Sequence, residues 1–283
     1  MSAPNVSASS MPRETRAAEP IHVTRASLSL AAGGFILWGI GYLTLWGAPT
    51  GTRLEWVLCT LGPLLLAAAI LNHLDHHRRR FGIVALVLLN IVVIMQALVF
   101  LPYAVNPGLR GDAAWSNVPY DIWGISWLVG ALGVAAVLMR KKSRLDHGGK
   151  SAETEIHASF FQLSMLAAGM LIYGISFVGF STDRTSHLFG WLSVIGPAFI
   201  AVAVIAHIEH LSLRLGRPAV VLVIFGVSAW AAKNLVRATT DLMSDPHWAV
   251  FFVYGVQGVI LLLGALACLL VLFHKQAWEL PVE

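Results

Sequence analysis

The sequence predicts an all-α fold: a polytopic integral membrane bundle of eight transmembrane helices, built as two parallel four-helix repeats. Three observations carry this expectation. Apolar residues make up 57% of the chain and charged residues only 12%, which leaves too little polar surface to cover a water-soluble domain. A hydrocarbon core requires about 20 apolar residues at helical rise, and eight stretches of that kind occur, at roughly 27–46, 53–72, 81–101, 121–139, 158–180, 187–208, 217–237 and 248–273. Finally, the second and sixth stretches resemble each other residue by residue.

Residues 1–26 read as a disordered cytoplasmic leader. The apolar run behind it is too long for the core of a cleaved signal peptide, and Glu14 and Glu19 count against a transit peptide. Residues 27–142 form the first repeat, 143–157 a cytoplasmic linker ("SRLDHGGKSAETEIH"), 158–275 the second repeat and 276–283 a cytoplasmic tail. Basic residues collect in alternate connections. Arg78, Arg79 and Arg80 follow the second stretch, and Arg140, Lys141, Lys142 and Arg144 follow the fourth. Arg214 and Arg217 follow the sixth, and Lys275 the eighth. The other connections hold only Arg53, Arg110 and Arg184, so the positive-inside rule puts both termini in the cytoplasm. A bacterial inner membrane is the expected location. Topology alone accounts for the net charge of +4, so no nucleic-acid partner is implied; membrane lipids are, and other membrane subunits or a homodimer are compatible. Cys59 and Cys268 lie inside apolar stretches and offer neither a disulfide framework nor a CxxC site.

The repeat is clearest where "GPLLLAAAILNHLDH" (Gly62 to His76) aligns without a gap on "GPAFIAVAVIAHIEH" (Gly196 to His210). Weaker matches follow at nearly the same offset, such as "LWGIGYL" with "IYGISFV", while the third and seventh stretches match poorly. An even number of crossings per copy makes the repeats parallel, related by an axis along the membrane normal. Pro63 and Pro197 are expected to bend their helices midway, because proline removes one backbone hydrogen bond.

Each of these helices is expected to end in histidines. Residues three or four apart share a helical face, which groups His73, His76 and His77, and likewise His207 and His210. Imidazoles from facing helices suit a transition metal ion or an axially ligated haem iron. In that reading His73, His76, His207 and His210 are ligands, and Asp75, Glu209 and His77 orient them from behind. Proton relay is a second role for the same groups. The plainer reading is that His, Asp and Arg finish a helix at the lipid headgroups, with Asp75 pairing Arg79 at i+4. "HLDHH" also resembles the HxxHH histidine box of membrane fatty-acid desaturases and hydroxylases, which implies a cytoplasm-facing di-iron site. The resemblance covers five residues; the second copy reads "HIEHL", and no separate HxxxH box occurs.

Further polar residues interrupt the apolar stretches: Lys233, Asn234 and Arg237 in the seventh, Asn90 and Gln96 in the third. A lysine in hydrocarbon is costly, so it faces a cavity, a partner or the interface. Either Lys233 and Arg237 snorkel toward Asp241 and the headgroups, or they form an anion or substrate gate with Asn90 and Gln96 lining the same cavity. Trp46, Trp56, Trp115, Tyr120, Trp248 and Trp278 read as an interfacial belt, and the glycines of "GGFILWGIG" and "GISWLVGALG" as close-packing points. No GxGxxG, P-loop, GxSxG or HExxH motif occurs. Three function classes therefore stand: a metal or haem protein of membrane redox or lipid-modifying chemistry, a small-molecule or ion transporter, and a non-catalytic assembly subunit of a membrane complex.

Overall fold

The computed structural model describes residues 23–47, 52–112, 115–146, 156–240, 248 and 250–279. Eight of its helices are long and apolar enough to cross a membrane. They are α1 (Arg25–Gly47), α2 (Arg53–Leu71), α4 (Ile83–Val105), α5 (Val118–Asp146), α6 (Phe160–Thr182), α7 (His187–Ile205), α9 (Arg217–Thr239) and α10 (Gln257–Glu279), the last preceded by a π-helical turn at Phe251–Val256. Two short helices, α3 (Leu74–Phe81) and α8 (Ile208–Leu215), follow α2 and α7. Large apolar side chains such as Val84, Leu132, Val221, Phe225 and Phe273 are more than half exposed. An outer surface of this kind suits lipid and is rare on water-soluble monomers.

The long helices pack as a closed ring in the order α1, α2, α4, α5, α6, α7, α9, α10 and back to α1. We call α1 to α5 the first half and α6 to α10 the second. Glycines set the closest approaches. A Cβ on Gly62 would lie 2.5 Å from the Cβ of Trp38 and 2.7 Å from the Gly34 carbonyl oxygen; a Cβ on Gly196 would lie 2.7 Å from the Cβ of Tyr173 and 2.8 Å from the Gly169 carbonyl oxygen. The seams between halves use the same device, with Gly124 against Gly174 where α5 meets α6 and Gly39 against Gly258 where α1 meets α10. Small residues let backbones touch, which is how helices gain packing energy when lipid is as apolar as they are.

The histidine ends differ from the expectation of unbroken helices. Pro63 and Pro197 are buried inside α2 and α7, and both helices run on past them. A break in helical geometry follows at the histidines. Asn72 and Ala206 close α2 and α7 with identical backbone angles (φ −63°, ψ −14°), and His73 (φ −119°, ψ 28°) and His207 (φ −107°, ψ 10°) leave helical geometry. Each short helix then stops at a glycine of positive φ, Gly82 at 91° and Gly216 at 83°. L-residues rarely adopt that conformation, so these glycines fix where α4 and α9 begin. They also put the two helices in register at the offset that aligns Gly62 with Gly196, although their sequences match poorly. Side chains hold the breaks in place: Asn72 Nδ2 donates to Thr24 Oγ1 and Ser27 Oγ at the start of α1 (both 3.0 Å), and Gln162 Nε2 donates to the Ala206 carbonyl from the start of α6 (2.6 Å).

Three boundaries move. α5 runs to Asp146, so the stretch beginning at residue 143 is helical at first; α10 runs to Glu279, into the expected tail; and α1 begins at Arg25, inside the expected leader.

Candidate functional site

A cavity of about 140 Å³ lies inside the ring, and six of the eight helices or their extensions wall it. It is built by helical spacing, since residues three or four apart share one face. α1 presents Trp38 and Tyr42, α5 presents Tyr120, Trp123 and Trp127, and α6 presents Tyr173 and Phe177. α9 presents Trp230, Lys233, Asn234 and Arg237, while Gln96 comes from α4, Phe252 and Val253 from the π turn and Gln257 from the start of α10. Both halves contribute. π-helical turns are uncommon and concentrate at functional sites, because the extra residue re-aims side chains; here the turn delivers Phe252 and Val253 to the cavity.

Nine aromatic rings make the wall largely apolar. They brace one another: Trp230 Nε1 donates to the Tyr173 hydroxyl at 3.0 Å, and the Trp127 ring lies 5.2 Å from Trp230 and 5.3 Å from Tyr173, distances suited to tilted and edge-to-face packing. The polar groups are amides and cations. Lys233 Nζ donates to Gln257 Oε1 at 2.6 Å, Gln96 Nε2 to Ser126 Oγ at 2.6 Å, and Asn234 Nδ2 to the Trp230 carbonyl at 3.0 Å. The Arg237 guanidinium sits 4.1 Å from the centre of the Phe180 ring, a cation–π contact. No carboxylate is among the described residues that line the cavity.

Two arginines from the loops cross between halves. Arg110, in the 3-10 turn Pro107–Gly111 after α4, lies 5.5 Å from the Tyr254 ring and donates to its hydroxyl at 3.3 Å. Arg184, after α6, lies 5.0 Å from the Tyr120 ring and donates to the Ser116 carbonyl and Asn117 Oδ1.

Of the residues anticipated for a gate, Lys233, Arg237 and Gln96 come together at the cavity. Asn90 does not: it is buried elsewhere on α4, donating to the Leu86 carbonyl. Asp241, the expected partner of Arg237, lies outside the described residues. Two residues assigned to the interfacial belt are reassigned. Tyr120 lines the cavity, and Trp56 is 3% exposed, packed between Phe100 and Tyr103 and capped by Arg110 at 5.5 Å. Aromatic spacing on the cavity helices could have marked Trp38, Tyr173 and Trp230 beforehand, but lipid-facing aromatics give the same signal.

The histidines lie at the opposite end of the bundle, where α2 and α7 finish. The rings of His73 and His76 are 4.7 Å apart, those of His73 and His77 5.1 Å, and those of His207 and His210 again 4.7 Å. They line two neighbouring hollows rather than one. His73 and His76 border the first, His207 and His210 the second, and His157, which the sequence reading missed, borders both and stacks on His210 at 4.6 Å. Among the described residues no group of three or more His, Cys, Asp or Glu is arranged to hold a metal ion. Asp75 and Glu209 each line the hollow beside their own histidines. Asp75 pairs with Arg78 at 3.8 Å, not with Arg79; both side chains are largely exposed, so the pair contributes little.

Among the described residues, cations surround the histidines at this end. Burial first, then His73, His76 and Arg80, lower the His77 pKa to about 4. The same order holds for His207, whose pKa is lowered by burial and then by His210, Arg214, Arg80 and Lys141. Neither a protein-family model, nor a curated protein, nor a solved structure matches this chain, so the chemistry of the cavity and of the basic end carries the functional reading.

Proposed function

We propose that this is a multi-pass membrane protein of two parallel repeats that binds a small organic anion in its central cavity and carries it across the membrane. The observation that carries the reading is the pairing of Lys233 and Arg237 with an aromatic wall and no described carboxylate. A lysine inside the bilayer costs from about 2.5 kcal/mol upward, and one amide contact from Gln257 offsets only part of that. An anionic ligand would supply the rest. A cavity near 150 Å³ accommodates a molecule the size of benzene, so the volume favours a single-ring or short branched carboxylate over a long chain. The aromatic wall favours an apolar body over a hydrated inorganic ion.

In this reading the two halves, related by an axis along the membrane normal, rock against each other so that the cavity opens to one side at a time, and the basic connections set both termini in the cytoplasm of a bacterial inner membrane. The test is uptake of aromatic monocarboxylates and their neutral amides into proteoliposomes. Carboxylate uptake that is lost in Lys233→Met, with no uptake of the amides, is the expected result. Uptake unaffected by Lys233→Met would remove the cavity from the pathway.

A transition metal ion at each histidine pair, His73 with His76 and His207 with His210, is a second reading, since the pairs border separate hollows. The 4.7 Å approach of the rings in both pairs favours it. Metal content of the purified protein decides it: metal below stoichiometry would end it.

A further inference from the structure

We propose that the hollow beside His73 and His76 is a binding site for the phosphate of an anionic membrane phospholipid. The hollow measures about 500 Å³, room for a phosphoglycerol headgroup. Its wall is assembled from both halves: Asn72 and His73 after α2, His76, Arg79 and Arg80 on α3, His157 ahead of α6, and Arg214 on α8.

Three guanidiniums converge there, and the one carboxylate among the described lining residues, Asp75, is exposed and paired with Arg78, which is not in that lining. Arginine forks and imidazole N–H groups are the donors that suit phosphate oxygens. The backbone is held to present them. Arg140 and Arg144 both donate to the Arg79 carbonyl, at 3.1 and 2.7 Å, and an Arg214 guanidinium nitrogen lies 3.1 Å from His157 Nε2.

Two observations select a lipid over free phosphate. Leu71 and Leu74, both exposed, line the same hollow and give an acyl chain an apolar exit. The hollow also lies at the end of α2, where an apolar span gives way to three consecutive arginines, and basic pockets between helices at a cytoplasmic face recognise acidic headgroups. This inference is independent of the central cavity, which shares no lining residue with the hollow.

The experiment uses the full-length protein, chelator-treated, in zwitterionic detergent, titrated with short-chain phosphatidylglycerol, with phosphatidylcholine of the same chain length and with inorganic phosphate. Thermal melting and native mass spectrometry are the readouts. Phosphatidylglycerol is expected to raise the melting temperature and to remain bound in the gas phase, while phosphatidylcholine does neither. The double variant Arg79→Gln/Arg80→Gln should weaken phosphatidylglycerol binding by roughly 10-fold or more, and Lys142→Gln, exposed on α5 outside the hollow, should leave it unchanged. Melting without lipid checks that the double variant folds; His76→Gln provides a milder probe of the same wall, expected to weaken binding in the same direction. Equal affinity in wild type and both hollow variants would overturn the site, and equal stabilisation by inorganic phosphate would overturn the assignment to lipid.

Discussion

α4 and α9 are of equal length, begin at equivalent positive-φ glycines and occupy equivalent places in the ring, yet they carry opposite interiors. In α4 the stretch after Gln96 is packed solid: Val99, Phe100 and Tyr103 are 2%, 2% and 7% exposed and join Tyr42, Leu45, Trp56 and Cys59 in one apolar cluster. At the same register α9 has Lys233, Asn234 and Arg237, three of the polar residues bordering the cavity. Correspondingly, 44% of the apolar window of α4 is buried but only 22% of that of α9. Two helices alike in length, start and place in the ring thus differ in what fills their inner faces, apolar side chains in one and polar side chains beside a cavity in the other. Backbone glycines set the helix placement, and the side chains facing inward set the chemistry.

Exchanging the chemistry between halves gives the largest expected effect. Val99→Lys puts a charge into a cluster of buried apolar side chains, and should destabilise the protein by about 3 kcal/mol or more. A drop in melting temperature large enough to abolish purification of the folded protein is the anticipated outcome; a fully stable variant would mean that the first half tolerates what the second was built for. Next come Gly62→Ala and Gly196→Ala. Each new methyl meets backbone at 2.7 to 2.8 Å, and each should cost about 1–3 kcal/mol. Their losses should be equal within error, since the crossings are alike while the cavities are not. Gly33→Ala, whose Cβ would meet nothing closer than 3.9 Å, is the matched control and should melt like wild type.

Lys233→Met is expected to leave stability unchanged or slightly raised, because a desolvated cation is removed, while anion affinity falls about 10-fold, equivalent to about 1.4 kcal/mol. Calorimetric titration and melting of the same sample separate the two. The last effect, absent at neutral pH, concerns the histidine end. His77 titrates near its ordinary 6.5 in the unfolded chain but near 4 in the folded one. Between those values the unfolded state takes up more protons, so stability falls as pH drops through that window. His77→Gln should flatten the pH dependence of melting between about pH 6.5 and 4; an unchanged slope would place the proton uptake elsewhere.

Much of the architecture was legible in the sequence, because hydrophobic run length and the placing of glycines and polar residues within it are written residue by residue. The eight apolar stretches, the glycine crossings and the Lys233, Arg237 and Gln96 group all follow from that. The break at His73 and His207 was not, since nothing in "NHLDHH" forbids helix. Its visible signal lies downstream, in Gly82 and Gly216, each preceded by an arginine two residues earlier. His157 was missed because a lone histidine in a polar linker carries no periodicity, and only the fold brings it against His210. The aromatic wall escaped notice for a different reason: rings that line a cavity and rings that face lipid obey the same 3.6-residue period.

The glycine pairs at the two seams, Gly39 with Gly258 and Gly124 with Gly174, have a mechanical consequence. Where side chains interlock, one helix can move past another only by unmeshing them, in discrete jumps. At these seams each glycine seats a side chain of the facing helix, Leu262 at Gly39, Leu43 at Gly258, Val178 at Gly124 and Leu128 at Gly174, so the halves are keyed together at two points and shift only when those side chains leave their seats.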